Sequence, residues 1–398
     1  MPDDSPAAPL FRPQRGSGRR VVVTGQVGVD KKAFLNKVAA LAETRGKHVE
    51  TYHVGDRMYA EAPDVRPRRI LDLPLARLNL LRRAVFKDIL ADVDRHETLI
   101  VNTHAAFRWK HGLFPAFDHD HMTALDADLY ITLVANVDAI HEELAREHDL
   151  EHTLKDILVW REEEILATEI LANAIRGHGC FYVMVRGIED ETLESLYRLI
   201  FRPETRKVYT SFPMTHVMDL PDTLARIDAF RAAIAEHFIT FDPGDLDEKR
   251  LLFAAAAATQ RGETKITVQV NGHDVEFDVA EISGVASDID AQIYARDFKL
   301  VDQSDMIVSY IPMLPDGKPA LSSGVERELQ HAYEATKEVF VVWEPKAEPS
   351  PFITQTATRV FATSEQALQH FQQLGYIKEL QSPLFSPGSA PRERGRFG

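Results

Sequence analysis

Short β-branched runs and helical stripes alternate along most of this chain. Arg20-Val21-Val22-Val23-Thr24 opens the series and ends at Gly25. A helical pattern runs from Lys32 to Arg45 and stops at Gly46, a residue suited to the left-handed turn after a helix. Leu99-Ile100-Val101, Leu129 to Val134 and Phe181 to Val185 are further runs of buried-strand length. Residues 153–176 spell a long amphipathic helix. A break is expected at Arg202-Pro203-Glu204-Thr205, after which the same grammar restarts. Lys207-Val208-Tyr209, Met306-Ile307-Val308 and Val339 to Trp343 read as strands, Leu224 to His237 and Val325 to Lys337 as helices. This alternation predicts an α/β protein of two doubly wound parallel-sheet domains, at 19–203 and 205–378. One insert departs from it. Lys265 to Val270 and Val275 to Val279 alternate apolar and polar residues around Asn271-Gly272, a strong β-hairpin signal. Residues 1–18 and 379–398 lack periodicity and read as flexible tails, and no internal repeat is found.

The first strand-to-helix junction reads Gly25-Gln26-Val27-Gly28-Val29-Asp30-Lys31-Lys32. A phosphate loop has the form GxxxxGK[ST], its N–H groups cradling phosphate at a helix N-terminus. Gly25 and Lys31 keep that register, with Gly28 between them. Asp30 stands at the second glycine, and Lys32 at the hydroxyl that would hold Mg²⁺. A carboxylate about 4 Å from a phosphate charge costs roughly 1 kcal/mol in water and about 4 at an effective dielectric of 20. An ammonium cannot ligate Mg²⁺. Spacing alone leaves two readings: a nucleotide loop (Gly25, Gly28, Lys31, Lys32) or a strand–turn–helix that binds nothing.

Two further stretches add to this. His53-Val54-Gly55-Asp56-Arg57-Met58-Tyr59-Ala60-Glu61 looks like the GDxMxE segment of archaeal-type adenylate kinases, with the Glu one place late. Val101-Asn102-Thr103-His104, then Phe107-Arg108 and Gly112-Leu113-Phe114-Pro115, is similar to their VDTH…R…G.LP segment. The resemblance covers about residues 19–190. It implies a P-loop kinase fold, with ATP and Mg²⁺ as the cofactors such a loop would take. Asp30, Lys32 and Asn102, which replaces an acid, weigh against phosphoryl transfer. The expected role is a regulatory or substrate-presenting nucleotide fold, with an active kinase as the alternative.

Three pieces of the second half carry chemistry. Tyr209-Thr210-Ser211-Phe212-Pro213-Met214 follows its opening strand, Arg296-Asp297 precedes Asp305, and Ser322-Ser323-Gly324-Val325-Glu326-Arg327-Glu328-Leu329 opens a helix. A Ser-Ser-Gly turn entering a helix offers N–H groups and hydroxyls to an anion. A glutamate on that helix, near the carboxyl edge of a parallel sheet, can attack an anomeric carbon while a second acid serves the departing base. Equally, acids near a helix start complement its dipole and need no other purpose.

The spacing resembles nucleoside 2-deoxyribosyltransferases and the related 2-deoxynucleoside 5-monophosphate N-glycosidases. Members carry an Asp eight residues before the Asp of the next strand and later an SxGxxxEL helix start. Here these are Asp297 and Asp305, then Ser322, Gly324 and Glu328. The match spans about residues 206–375. It implies Glu328 as nucleophile, Asp297 as partner acid, and Tyr209 in the active site. Ser211, Ser322, Gly324 and Asp305 would contact substrate, and Ser350 would be lent to a neighbouring subunit's phosphate site. Glu326 competes with Glu328, but only Glu328 keeps the Ser–Glu spacing. No cofactor is required for such cleavage.

Composition narrows the partners. The 398 residues, 44% hydrophobic and 27% charged, fit a soluble globular protein. A formal charge of −15 disfavours polymeric nucleic acid but not a small nucleoside or nucleotide. The single Cys180 excludes an internal disulfide, suggests the cytoplasm, and reads as a buried strand residue. No apolar signal segment opens the chain, and the longest apolar run, Leu251 to Ala258, falls short of the ~20 residues of a membrane span. His119, His121, His141 and His148 lack metal-ligand spacing and are expected to be solvated, so no metal is expected. The role of Ser350 implies a homo-oligomer. Three readings therefore stand: an N-glycosidase or deoxyribosyltransferase, a nucleoside monophosphate kinase-like phosphotransferase, and a non-catalytic nucleotide sensor.

Overall fold

The computed structural model describes residues 18–377 apart from 67–68, 110–111, 149–151 and 215–216. The tail segments 1–17 and 379–398 lie outside the described residues.

The first half contains β1 (Arg19–Thr24), α1 (Lys31–Thr44), β2 (Val49–His53), α2 (Val54–Ala60), α3 (Leu75–Asp92) and β3 (Thr98–Asn102). It continues with β4 (Ala106–Trp109), β5 (Gly112–Pro115), α4 (His119–Leu125), β6 (Leu129–Val134), α5 (Val137–His148), α6 (Leu154–Arg176), β7 (Phe181–Val185) and α7 (Glu189–Phe201). The second half contains β8 (Lys207–Ser211), α8 (Pro221–Ala235), β9 (Ile239–Phe241), α9 (Lys249–Arg261), β10 (Lys265–Val270), β11 (His273–Asp278), α10 (Val279–Gly284) and α11 (Ala286–Asp302). Then come β12 (Met306–Ile311), α12 (Ser323–Glu334), β13 (Glu338–Trp343), α13 (Pro351–Thr354), β14 (Arg359–Phe361) and α14 (Ser364–Gln373).

The strands form two five-stranded sheets, ordered β2-β3-β1-β6-β7 and β14-β13-β12-β8-β9, and every ladder in them is parallel. Their strands are apolar on both faces because helices cover both. In β1, Val21 and Val23 face one buried cluster and Val22 the opposite one. In β12, Ile307 and Ile311 join the first cluster, while Val308 and Tyr310 point to a third. The molecule is thus a mixed α/β protein of two parallel sheets, neither of them a closed barrel.

The expected hairpin is present as β10–β11, with Asn271 and Gly272 at φ 51° and 83°, the left-handed pair of a two-residue turn. It is not a free appendage. Phe277 of β11 lies 5.0 Å, centroid to centroid, from the His141 ring on α5 of the first half. A second hairpin, β4–β5, was not read from the sequence.

The two halves share one buried cluster, in which Leu154, Ile157, Leu196 and Leu199 meet Phe241, Ile282, Ile289 and Leu300. Polar groups fix the docking. Arg161 of α6 donates to both Glu248 carboxylate oxygens, at 2.6 and 3.0 Å, with both side chains buried. Glu248 also accepts from the Val137 N–H, 3.0 Å away, and Arg161 donates to Gln292 of α11. Gln303 exchanges two hydrogen bonds with the Val183 main chain. Among the described residues, no helix is long and apolar enough to cross a membrane.

Candidate functional site

In the second sheet the chain runs from β8 out to the edge strand β9, then crosses back to β12 on the other side of β8. Such a reversal opens a crevice at the carboxyl ends of the two central strands. Tyr209 and Ser211, two residues apart on β8, point to the same face there, and both are fully buried. Glu328 lies in the second turn of α12, the helix that follows β12. The Tyr209 hydroxyl donates to its Oε1 at 2.9 Å, and the Ser211 hydroxyl to its Oε2 at 2.6 Å. Glu326 is exposed on the same helix and does not join them.

Asp297 is close enough to act on the same carboxylate. Burial and the Asp297 charge push the Glu328 carboxyl up to about 8, against the pull of the two hydroxyls. Burial likewise raises Asp297, opposed by Arg296, whose Nε and Nη2 donate to Asp297 Oδ1 at 3.0 and 2.9 Å. Arg296 Nη1 is anchored on the Leu246 carbonyl at 3.0 Å. Burial raises the Tyr209 phenol well above its ordinary value, so it stays a donor. Two adjacent carboxyl groups that both favour the proton titrate as a pair, and near neutral pH the pair retains a proton.

Ser322 caps α12. Its Oγ accepts from the Val325 N–H at 3.2 Å, which leaves its own O–H free to donate, and its carbonyl accepts from Glu326 at 3.1 Å. The N–H groups of Ser323 and Gly324 have no partner within the helix. Ser350 begins α13 on the loop after β13; its carbonyl accepts from Ile353 and Thr354, while its hydroxyl is enclosed without a partner. Asp305 does not belong with the others. It precedes β12 at the amino edge of the sheet, where its carboxylate accepts from the Lys207 N–H at 2.8 Å, at the far end of β8 from Ser211. The expectation of a substrate contact there is corrected to a strand-pairing role.

The first half builds a different junction. Gly25, at φ 142°, lies so close to β6 that a Cβ would stand 2.5 Å from the Leu133 carbonyl oxygen, and Gly28 packs against Ile140. Asp30 adopts the left-handed conformation, φ 50°, that a glycine would take more cheaply. Its carboxylate then turns onto its own helix and accepts from the Ala33 N–H. It therefore takes up one of the N–H groups at the start of α1. Lys31 is drawn inward, donating to the Gly25 carbonyl, and burial lowers its ammonium to about 8. Lys32 pairs with Asp56 at 2.5 Å.

Beneath the loop sits Glu164 of α6, fully buried, which accepts from the N–H groups of Gly25, Ala105 and Ala106 at 3.1, 2.8 and 2.9 Å. The kinase-like stretches do converge on the loop, since Lys31 Nζ lies 3.5 Å from His104 Nδ1 and Asn102 reaches His53. We expect Asp30→Gly to tighten ATP binding roughly tenfold or more, because it removes a like charge from the cradle. Calorimetric titration of ATP checks this, and unchanged affinity would dismiss the carboxylate as the obstacle.

Glu164 and Arg296 were not singled out in the sequence. Glu164 was legible in principle, for it stands seven residues after Ile157 on the buried stripe of α6. The histidines were misjudged: the His121 ring stacks on Phe86 and His141 packs on Phe277, so neither is simply solvated. The His148 side chain lies outside the described residues. Among the described residues, no group of three or more His, Cys, Asp or Glu could hold a metal ion. Cys180 is buried.

Residues 24–158 match the family model described as an AAA domain. No curated protein matches the chain. Similar solved structures include a shikimate kinase from Bacteroides thetaiotaomicron, 12% identical, covering 46% of this chain and 97% of that one at a TM-score of 0.32. A gluconokinase from Sinorhizobium meliloti 1021 is 15% identical, covering 48% and 98% at 0.30. The family match lies within the first half of the chain and ends before β8 begins.

Proposed function

We propose that the second half breaks the N-glycosidic bond of a nucleoside or nucleoside 5-monophosphate, by hydrolysis or by transfer of the sugar. One observation carries the reading: two buried hydroxyls hold a desolvated carboxylate at the switch point of a parallel sheet, beside a second carboxyl group. In the proposed scheme the proton that the pair retains passes from Glu328 to Asp297 as the substrate binds, and ionised Glu328 attacks the anomeric carbon. The bond to the base breaks as the ester bond forms, through an oxocarbenium-like transition state, and Asp297 gives its proton to the departing base. Water, or a nitrogen of an incoming base, then attacks the same carbon. Glu328 leaves as a carboxylate, and the attacking group's proton returns to Asp297. Tyr209 and Ser211 orient the carboxylate and stabilise it on release. The scheme uses no cofactor.

The AAA-domain match favours a second reading, a nucleoside monophosphate kinase-like phosphotransferase. Likeness to known proteins supports that reading more than the first, which rests on site geometry. Against transfer stand Asp30 in the cradle and Lys32 in place of a hydroxyl, so we assign the first half a regulatory nucleotide-binding role. A panel of nucleosides and nucleotides, read by chromatography, separates the readings. Free base supports the first, ADP formed from ATP the second, and binding without turnover a sensor.

The 5-phosphate belongs at the start of α12. Losing a hydrogen bond to a charged group costs roughly 1.5–3 kcal/mol, or about 10- to 150-fold. Ser322→Ala should weaken monophosphate cleavage by that factor and spare nucleoside cleavage. Equal loss on both substrates would remove the phosphate role. Sharing of Ser350 between subunits requires at least a dimer, and a fully active monomer in sedimentation would exclude it.

A further inference from the structure

α6 lies between the phosphate loop and the helix that carries Asp297, and it is bonded to both. Toward the loop, Glu164 accepts from the Gly25 N–H at 3.1 Å, and Thr168 Oγ1 lies 2.7 Å from Thr24 Oγ1, both pairs buried. Toward the second half, the Gln292 amide on α11 donates to the Leu158 carbonyl at 3.1 Å, and its oxygen accepts from Arg161 at 2.6 Å. Lys299, also on α11, donates to Glu169. Arg161 further holds Glu248, two residues after Leu246, whose carbonyl anchors Arg296 on Asp297. The contacts to the two sides thus interleave over residues 158–169, about three turns of one helix.

At the loop end of this connection one cation answers a buried acid. Lys31 is turned inward onto the Gly25 carbonyl, with Nζ 3.5 Å from His104 Nδ1, which itself lies 3.7 Å from Glu164 Oε1. Burial raises the Glu164 carboxyl, opposed first by the Lys31 ammonium and then by the three N–H groups it accepts from. A phosphate on the loop competes for that same ammonium, because an anion outside and a carboxylate beneath attract it in opposite directions. We propose that a nucleoside triphosphate on the loop regulates the second half through α6: its phosphates draw Lys31 off Glu164, and α6 passes the change to Asp297. What is regulated rests on the glycosidic reading; the connection itself does not. Packed elements shift between discrete arrangements, so a changed contact at Glu164 is felt at Arg161, one turn away. Every bond of the chain is made with Lys31 inward. Its withdrawal therefore loosens the hold of Arg296 on Asp297, and the expected sense is inhibition. By linkage, substrate in the second half weakens nucleotide binding by the same factor.

ATP is the probe, and Arg161→Met with Glu248→Leu cuts the connection while filling similar space with apolar groups. In wild type, saturating ATP should slow release of free base about fivefold or more, the range of ordinary coupling between sites. In the double variant, which calorimetry should show still binding ATP, the slowing should fall below about twofold. Asp30→Gly should show the wild-type effect at roughly a tenth of the ATP concentration. Amide hydrogen exchange on the full chain gives a readout that needs no substrate. ATP should speed exchange in residues 286–302 of wild type and leave the double variant unchanged. Should the double variant fail to fold, Glu164→Gln takes its place. It keeps the shape but not the charge that holds Lys31, and the response to ATP should vanish there too. Faster exchange under ATP, with no base released from any nucleotide, keeps the connection and sinks the glycosidic reading. Base release or exchange indifferent to millimolar ATP in both wild type and Asp30→Gly, or a response that persists in the double variant, overturns the proposal.

Discussion

Glu328→Gln should abolish release of free base, by roughly a thousandfold or more, while making the protein more stable in alkali. The first effect follows from removing the charge that attacks the sugar, at nearly constant volume. The second follows from linkage. The Glu328 carboxyl ionises near 4.5 when exposed and at about 8 in the fold. Between those values the folded protein holds a proton that the unfolded chain has released, so stability falls as pH rises and levels off above the upper value. At 1.36 kcal/mol per pH unit the full cost is on the order of 2–5 kcal/mol. Glutamine never ionises and escapes it. Melting curves of both proteins should therefore coincide near pH 4.5 and diverge by several degrees at pH 8 and above. Coincidence across the whole range would show that Glu328 is not desolvated, and wild-type base release would transfer the nucleophile to Glu326.

The second large effect is expected at the junction of the halves. Glu248→Ala leaves the Arg161 guanidinium enclosed without its acid and deprives the Val137 N–H of its acceptor. Breaking a buried pair from one side costs about 3–5 kcal/mol. Denaturant unfolding should register that loss, and a change below about 1 kcal/mol would mean that water reaches Arg161. Arg161→Met with Glu248→Leu should recover most of it, because apolar groups of similar size remove the desolvation cost of both charges. Burial works to raise the Glu248 carboxyl, but Arg161 outweighs it and holds the carboxyl below 4.5. The wild-type pair therefore contributes fully above that value and is lost as pH falls through the depressed one.

Strands were the most legible part of the sequence, for Val21-Val22-Val23 and Leu129 to Val134 are too apolar for any place but a covered parallel sheet. Helices such as α11 were harder, because Arg296 interrupts its stripe with a charge whose burial only the tertiary partners explain. In the site, the spacing of Ser322 and Glu328 put both at one helix start, yet spacing carries no depth. It could not tell that Asp305 lies at the opposite edge of the sheet from Ser211. Asp30 shows the converse. Its type was visible at once, but its left-handed backbone and its turn onto Ala33 belong to geometry alone.

The cluster shared by the two halves sets a timetable for synthesis. Leu196 and Leu199 of α7, with Arg161 on α6, leave the ribosome well before Phe241, Glu248 and Ile289 exist to cover them. At about 5–20 residues per second, the rest of the second sheet takes roughly 10–30 s to appear. Throughout that interval the nascent chain displays an apolar surface and an uncompensated guanidinium, the kind of surface that chaperones hold and that crowded polysomes aggregate. A cut near Pro203 would make the same exposure permanent.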